Sequence, residues 1–319
     1  MKFKSFIKII FPLLVGLFFI FLSINITSAD DRRMILFSIK NADYKFALVS
    51  IIFGILSHLS RAYRWNFLLS PLGYKPKFIN SVFSVFIGYL ANLGVPRSGE
   101  LLRASALSNY EKIPFEKAFG TIVAERAVDL IMLLSFICLA LFLQYDLLFS
   151  LINKEQNNAS ELVACFLILI LILAFLRHLF YNSKSTLIKK LKLIIKGFWE
   201  GVISITKIQN KIPFVLHTVF IWTMYFLMFT VIKWTIPETH NLPFQILLLA
   251  FVAGSLTISA TNGGIGIFPF SIAVILNAFG YGNDDGLTFG WILWTSQTFM
   301  IILLGAISFL AIPFFNRKS

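Results

Sequence analysis

The stretch ANLGVPRSGELLR, Ala91 to Arg103, decides how this chain folds. It sets a proline, two glycines and three charges between long apolar segments, where an unbroken membrane helix would carry none. Irregular backbone at membrane depth persists only where protein buries it or where it lines a watery cavity, because lipid cannot satisfy free peptide groups. The stretch therefore reads as a sheltered break between two half-helices. Pro96 ends the first, and Ser98 is placed to cap a second that begins at Gly99. Free N–H groups and the positive dipole end at Gly99 suit an anion. Arg97 sits beside that end and Arg103 follows one and a half turns on. Glu100, in the first turn, stabilises the helix start in its own right.

Composition decides the class. Of 319 residues, 58% are hydrophobic and only 13% charged, with 36 phenylalanines, too little polar surface for a water-soluble globule. Runs such as IIFPLLVGLFFIFL and ACFLILILILAFL are apolar all round, so they lack the polar face of a soluble helix. The formal charge of +13 fits basic loops beside anionic headgroups, and nucleic-acid binding is not inferred from it. Cys138 and Cys165 lie inside apolar runs and imply neither a disulfide framework nor a metal site. The opening run, about residues 9–26, exceeds the ~7 to 15 residue core of a signal peptide and reads as an uncleaved first helix.

Apolar runs long enough to cross the hydrocarbon appear near 8–26, 43–61, 118–143, 161–180, 212–234 and 287–312, with interrupted ones at 78–95 and 244–280. Segment 177–211 holds eight lysines and arginines against Glu200, which places it in the cytoplasm, while 144–160 has only Lys154 and lies outside. Both termini read as cytoplasmic, on the cytoplasmic (inner) membrane. Residues 27–42 read as an outer loop, although Arg32, Arg33 and Lys40 fit that side poorly. Helix 43–61 then delivers Arg61 and Arg64 to the cytoplasm. Residues 78–117 must enter and leave on the cytoplasmic side, and 244–280 on the external side. The fold class is thus an all-α membrane protein, a polytopic helical bundle with an inverted repeat and two re-entrant helical hairpins. A constant offset of 170 residues places Asn92 on Asn262, Gly94 on Gly264 and Phe119-Gly120 on Phe289-Gly290. The chain is read as one domain, 1–319, with repeats at about 43–143 and 212–312. An amphipathic segment lies between them at about 181–211, its helix spanning 184–203 on the cytoplasmic leaflet.

The costliest residues are Glu125, Arg126 and Asp129, inside the run 118–143. Each charge at such depth costs on the order of 3 kcal/mol unless paired or wet. Glu125 and Asp129 share a face at i, i+4, so a cation from elsewhere is expected between them, with Arg61, Arg64, Arg97 and Arg103 as candidates. Two readings stand: an ion-pair network that only locks helices together, or a site for a headgroup or a proton. The mirrored break, TNGGIGIFP at 261–269, offers Asn262, Gly263, Gly264 and Gly266 as an anion-binding nest or as a close-packing turn. The four histidines are dispersed, His58 reads as interfacial, and no catalytic motif, metal or cofactor is expected.

RAYRWNFLLSPLG at 61–73, NLGVPRSGELLRASAL at 92–107, AFGTIVAERAVDL at 118–130 and GGIGIFP at 263–269 together resemble the lysylphosphatidylglycerol synthase transmembrane family, also called the flippase-like domain family. The combination P-R-x-G-E-x-x-R with E-R-x-x-D some 20 residues later is its specific part. The resemblance implies a domain that moves or accommodates lipids with modified headgroups. Some relatives are fused to a soluble aminoacyl-transferase domain; this chain has none, so lysyl transfer is not expected. Relatives often carry a glutamate after the late glycine turn where this chain has Phe268 and Pro269. A mechanism needing a carboxylate there does not carry over. The leading expectation is a flippase-like transporter of a phosphate-bearing lipid, bound through Arg97, Arg103, Arg126 and the half-helix at Gly99, with Glu100, Glu125 and Asp129 holding the arginines or exchanging protons. A headgroup-modifying membrane enzyme, and an accessory scaffold for an envelope-synthesis enzyme such as a glycosyltransferase, are the alternatives.

Overall fold

A computed structural model of the chain describes residues 29–95, 98–144, 208, 210–261 and 263–317. The spans expected at 8–26 and 161–180, the loop at 144–160 and the amphipathic helix at 184–203 lie outside these residues. The described residues form helices α1 (Ala29–Asn41), α2 (Tyr44–Leu69), α3 (Phe78–Gly94), α4 (Gly99–Glu111), α5 (Phe115–Leu143), α6 (Lys211–Thr230), α7 (Phe244–Ala260), α8 (Ile267–Ala278) and α9 (Asn283–Phe315). Four of them, α2, α5, α6 and α9, the first and third extended by short 3-10 turns, are long and apolar enough to cross a membrane. Their outward side chains are apolar, with Phe142, Ile212 and Leu310 each more than half exposed, the surface a helix presents to lipid. This is an all-α polytopic membrane protein.

Two boundaries differ from the sequence reading. Residues 29–41 form a helix rather than a loop: no glycine or proline interrupts ADDRRMILFSIKN, and its last turn carries Lys40 against the negative dipole end. Asp43 caps the next helix by accepting from the Lys45 N–H at 3.1 Å. Helix α2 then runs eight residues past Arg61 because no breaker occurs before Pro71, and Arg61 and Arg64 lie inside it, buried against the other helices.

Both interrupted segments fold as helical hairpins. In the first, α3 and α4 lie close enough that a Cβ on Gly99 would overlap the Gly88 carbonyl oxygen and come within 2.6 Å of the Asn92 side chain. In the second, Gly263, Gly264 and Gly266 take φ of +68°, +74° and +71°, a backbone that L side chains resist, and this turns α7 into α8. Helix α9 orders the two hairpins. At its end, Asn316 and Asn80 exchange amide hydrogen bonds of 2.9 Å, and Asn80 also donates to Glu111 at 2.5 Å, which fixes the open base of the first hairpin. Gly305 receives Leu90, Trp294 donates to the Gly263 carbonyl at 2.7 Å, and Gly290 and Gly286 receive Pro269 and Ala273. The hairpins thus approach α9 from opposite ends, and Leu93 of the first meets Gly263 of the second at their tips.

Element order repeats as long, short, short, long in each half, and the packing repeats with it: α3 lies on α9, α7 on α5, and α2 pairs with α6. One apolar cluster gathers Trp222, Phe251 and Phe289 around the second hairpin, and another gathers Trp65, Leu107 and Phe214 around the first. A bulky side chain at Gly99 must break the first hairpin, whereas Gly120 has open space where its Cβ would be. Gly99→Leu is expected to lose the folded protein in a detergent thermal-unfolding assay. Gly120→Ala should leave stability unchanged or raise it by up to about 1 kcal/mol from helix propensity.

Candidate functional site

The charges of the first half converge on one cluster. Glu125 and Asp129 occupy one face of α5 a turn apart, and counting about 1.5 Å per residue from Phe115 sets Glu125 roughly 15 Å along the helix. The Nη1 group of Arg61 stands between them, donating to Glu125 Oε1 at 2.5 Å and to Asp129 Oδ2 at 2.6 Å. Arg64, one turn on in α2, donates from Nη2 to Asp129 at 3.0 Å and from Nη1 to Thr218 at 3.0 Å. From α4, Arg103 grips Glu125 with both nitrogens, at 3.1 and 3.0 Å, the two-pronged geometry that suits guanidinium to carboxylate. Its guanidinium carbon lies 4.0 Å from the centre of the Trp65 ring, whose N–H donates to Thr121 at 2.8 Å. These five charges are almost wholly buried, Glu125 and Arg64 completely.

The rim of the cluster differs from its centre. The side chain of Arg126 is 39% exposed, and its nearest carboxylates are distant: Glu100 at 3.4 Å and Asp129 at 3.6 Å. A narrow crevice of about 10 Å³ lies here, lined by Gly88, Tyr89, Asn92, Glu100, Arg103 and Arg126. Tyr89 shares a 3.2 Å hydrogen bond with Tyr225, which also accepts from Arg61 at 3.3 Å, so the cleft wall connects to the buried ions. Among the described residues the cluster holds four guanidiniums against three carboxylates, one positive charge in excess. The Nε–H groups of all four arginines have no hydrogen-bond acceptor among those residues. A site with surplus cationic charge and surplus donors is chemically suited to an oxyanion with several oxygens.

Of the residues singled out in the sequence, Asn92, Gly99, Glu100, Arg103, Glu125, Arg126, Asp129, Arg61 and Arg64 come together here. Ser98 is at the same turn but does not cap α4: its hydroxyl donates back to the Ala91 and Val95 carbonyls. Asn92 takes that task, accepting the Gly99 N–H at 2.7 Å, so that this N–H is occupied rather than free. Gly263, Gly264 and Gly266 lie at the facing tip and touch Leu93, Phe268 and Trp294 rather than the ions. Arg97 and Asn262 lie outside the described residues.

Other members of the cluster escaped the sequence reading. His58 is 4% exposed, packed on Tyr89, Phe86 and Tyr225, and so belongs to the core and not to an interface. Its signal was spacing, since His58, Arg61 and Trp65 follow the 3-4 step of one helical face. Thr218 and Tyr225, two turns apart on α6, form a second polar stripe of the same kind. A larger recess of about 260 Å³, lined by Tyr63, Asn66, Phe67, Tyr74, Lys75 and Asn210 among others, shares no residue with the ions.

Glu125→Gln strands Arg103 beside a neutral amide and leaves Arg61 with Asp129 alone. It is expected to cost about 3–5 kcal/mol in denaturant unfolding from mixed micelles. Arg126→Gln, at the exposed rim, should cost under about 1 kcal/mol in the same assay.

Comparison with known proteins places this geometry in context. The family model described as the lysylphosphatidylglycerol synthase TM region matches residues 9–305. A UPF0104 membrane protein of Methanocaldococcus jannaschii is 34% identical over 99 residues, 30% of each chain. Another, of Pyrococcus horikoshii, is 33% identical over 108 residues, 31% of each. The match spans less than a third of the length of these curated relatives. No solved structure matches.

Proposed function

We propose that this chain, which belongs to the lysylphosphatidylglycerol synthase transmembrane family, binds a phosphate-bearing membrane lipid at its arginine cluster and carries it between leaflets. The observation that carries the reading is the cationic excess at Arg126 beside the crevice between α3 and α4. An uncompensated charge there is costly unless an anion joins it. Arg126 takes the phosphate at the rim, Arg97 is assigned to the same group from its sequence position, and Arg103 contributes from behind. Glu125 and Asp129 hold Arg61, Arg64 and Arg103 in place.

The hairpins are read as re-entrant, one from each side of an inner membrane with both chain ends in the cytoplasm. Their approach to α9 from opposite ends and the meeting of their tips support this, as does the repeated packing of the two halves as an inverted repeat within a single domain. The headgroup would cross where the tips meet. A headgroup-modifying enzyme would need Glu125 or Asp129 as a base, but both carboxylates are already engaged by buried guanidiniums. That engagement favours transport over transfer, and leaves the scaffold role to the outer surface.

In proteoliposomes with a fluorescent phospholipid, the wild-type chain should exchange lipid between leaflets without changing its mass. Arg126→Gln, or loss of Arg97, should abolish exchange while the protein unfolds at the wild-type temperature; unchanged exchange removes the site. Single cysteines at Lys77, Lys112 and Arg317, in a background lacking Cys138 and Cys165, should all react from one face. Reaction of Lys112→Cys from the other face would end the re-entrant reading.

A further inference from the structure

Glu100 differs from the other carboxylates of the cluster in every contact it makes. Glu125 and Asp129 accept hydrogen bonds of 2.5–3.1 Å from buried guanidiniums. The Glu100 carboxylate forms none with any described residue, and its one ion pair, to Arg126 Nε, spans 3.4 Å. Its side chain is a quarter exposed and lines the cleft, whereas Glu125 is fully enclosed. Resting on the reading that the cleft takes a phosphate headgroup, we propose that Glu100 is a displaceable counter-ion: the ligand's phosphate takes its place at Arg126, and competition between the two anions sets the affinity of the site.

Charge counting supports the exchange. With Glu100 paired, the cluster has one positive charge over; with Glu100 turned away, four guanidiniums face two carboxylates and the attraction for an incoming anion doubles. Asp129 cannot play this part, because its loss leaves Glu125 alone against Arg61, Arg64 and Arg103, all buried. Glu100 loses little on release. It stays in the first turn of α4, where the positive dipole end favours a carboxylate whether or not Arg126 is near. Its side chain is already a quarter exposed, so release does not enclose it. The protein thus carries its own weak substitute for the ligand at Arg126, beside the longer contact to Asp129.

The test titrates the purified full-length chain in neutral detergent with dihexanoylphosphatidic acid, with dihexanoylglycerol as the uncharged control and inorganic phosphate as a parallel probe. Binding is read by calorimetry for wild type, Glu100→Gln, Arg126→Gln and the double variant. Replacing an ion pair of this exposure should tighten binding about fivefold in Glu100→Gln. The gain should vanish in the double variant, because Glu100 acts only through Arg126. A gain seen with phosphatidic acid and inorganic phosphate alike makes free phosphate sufficient; a gain with the lipid alone requires its glycerol and acyl portion; each supports displacement. Where Glu100→Gln does not fold, Glu100→Ala, which likewise removes the carboxylate, carries the same expected gain. Equal or weaker binding by both variants, with wild type binding and Arg126→Gln not, overturns displacement and leaves the headgroup site standing. Failure of wild type and both Glu100 variants to bind either probe overturns both.

Discussion

Burying five formal charges among membrane helices is tolerable here because Arg61 satisfies two carboxylates with a single nitrogen, and each neighbouring guanidinium closes another gap in the same lattice of bonds. Each isolated ion would cost on the order of 3 kcal/mol at membrane depth. Bound together they fasten α2, α4 and α5, with Thr218 of α6 as a further acceptor. Everything else in the first half follows from that fastening. The hairpin lies against α5 because Arg103 must reach Glu125, and α2 pairs with α6 on the side that offers Thr218 and Tyr225.

Gradation from centre to rim separates scaffold from site. The centre is made of short, two-sided contacts with no room for a ligand. At the rim the contacts lengthen, exposure rises, and a cleft begins at Arg126. On the proposed function, stability and binding fall on different members of one cluster, and the outer arginine can change partners while the inner ion pairs stay closed. The glycine turn of the second hairpin is a matter of geometry: positive φ at three positions and a carbonyl held by Trp294 fix its shape, and it meets the first hairpin through Leu93.

Much of this was legible in the sequence. The break at Pro96–Gly99, the expense of AERAVDL and the need for a cation between Glu125 and Asp129 are local statements about residue type and spacing, and the helices α3, α4 and α5 answer them. The offset of 170 residues set two segments of like element order side by side, and α2–α5 and α6–α9 have that order. What was not legible depended on contacts across the chain. Arg61 and Arg64 could be named as candidate partners of the carboxylates, along with Arg97 and Arg103, but which of the four reach them is decided by how α2 and α4 pack on α5. Ser98 looked like a cap, because its competitor Asn92 sits six residues earlier and returns only after the hairpin closes. His58, Tyr89 and Tyr225 are ordinary residues one by one and become a polar seam only when three helices meet.

The order of the charges along the chain has a consequence for biogenesis. Arg61, Arg64 and Arg103 are all synthesised before Glu125, the last of them by 22 residues. While the ribosome is still delivering α5, the nascent first half holds three cations destined for the interior and none of their inward carboxylates. Their pairing, and with it the fastening of α2 and α4 to α5, is complete only once AERAVDL has been made.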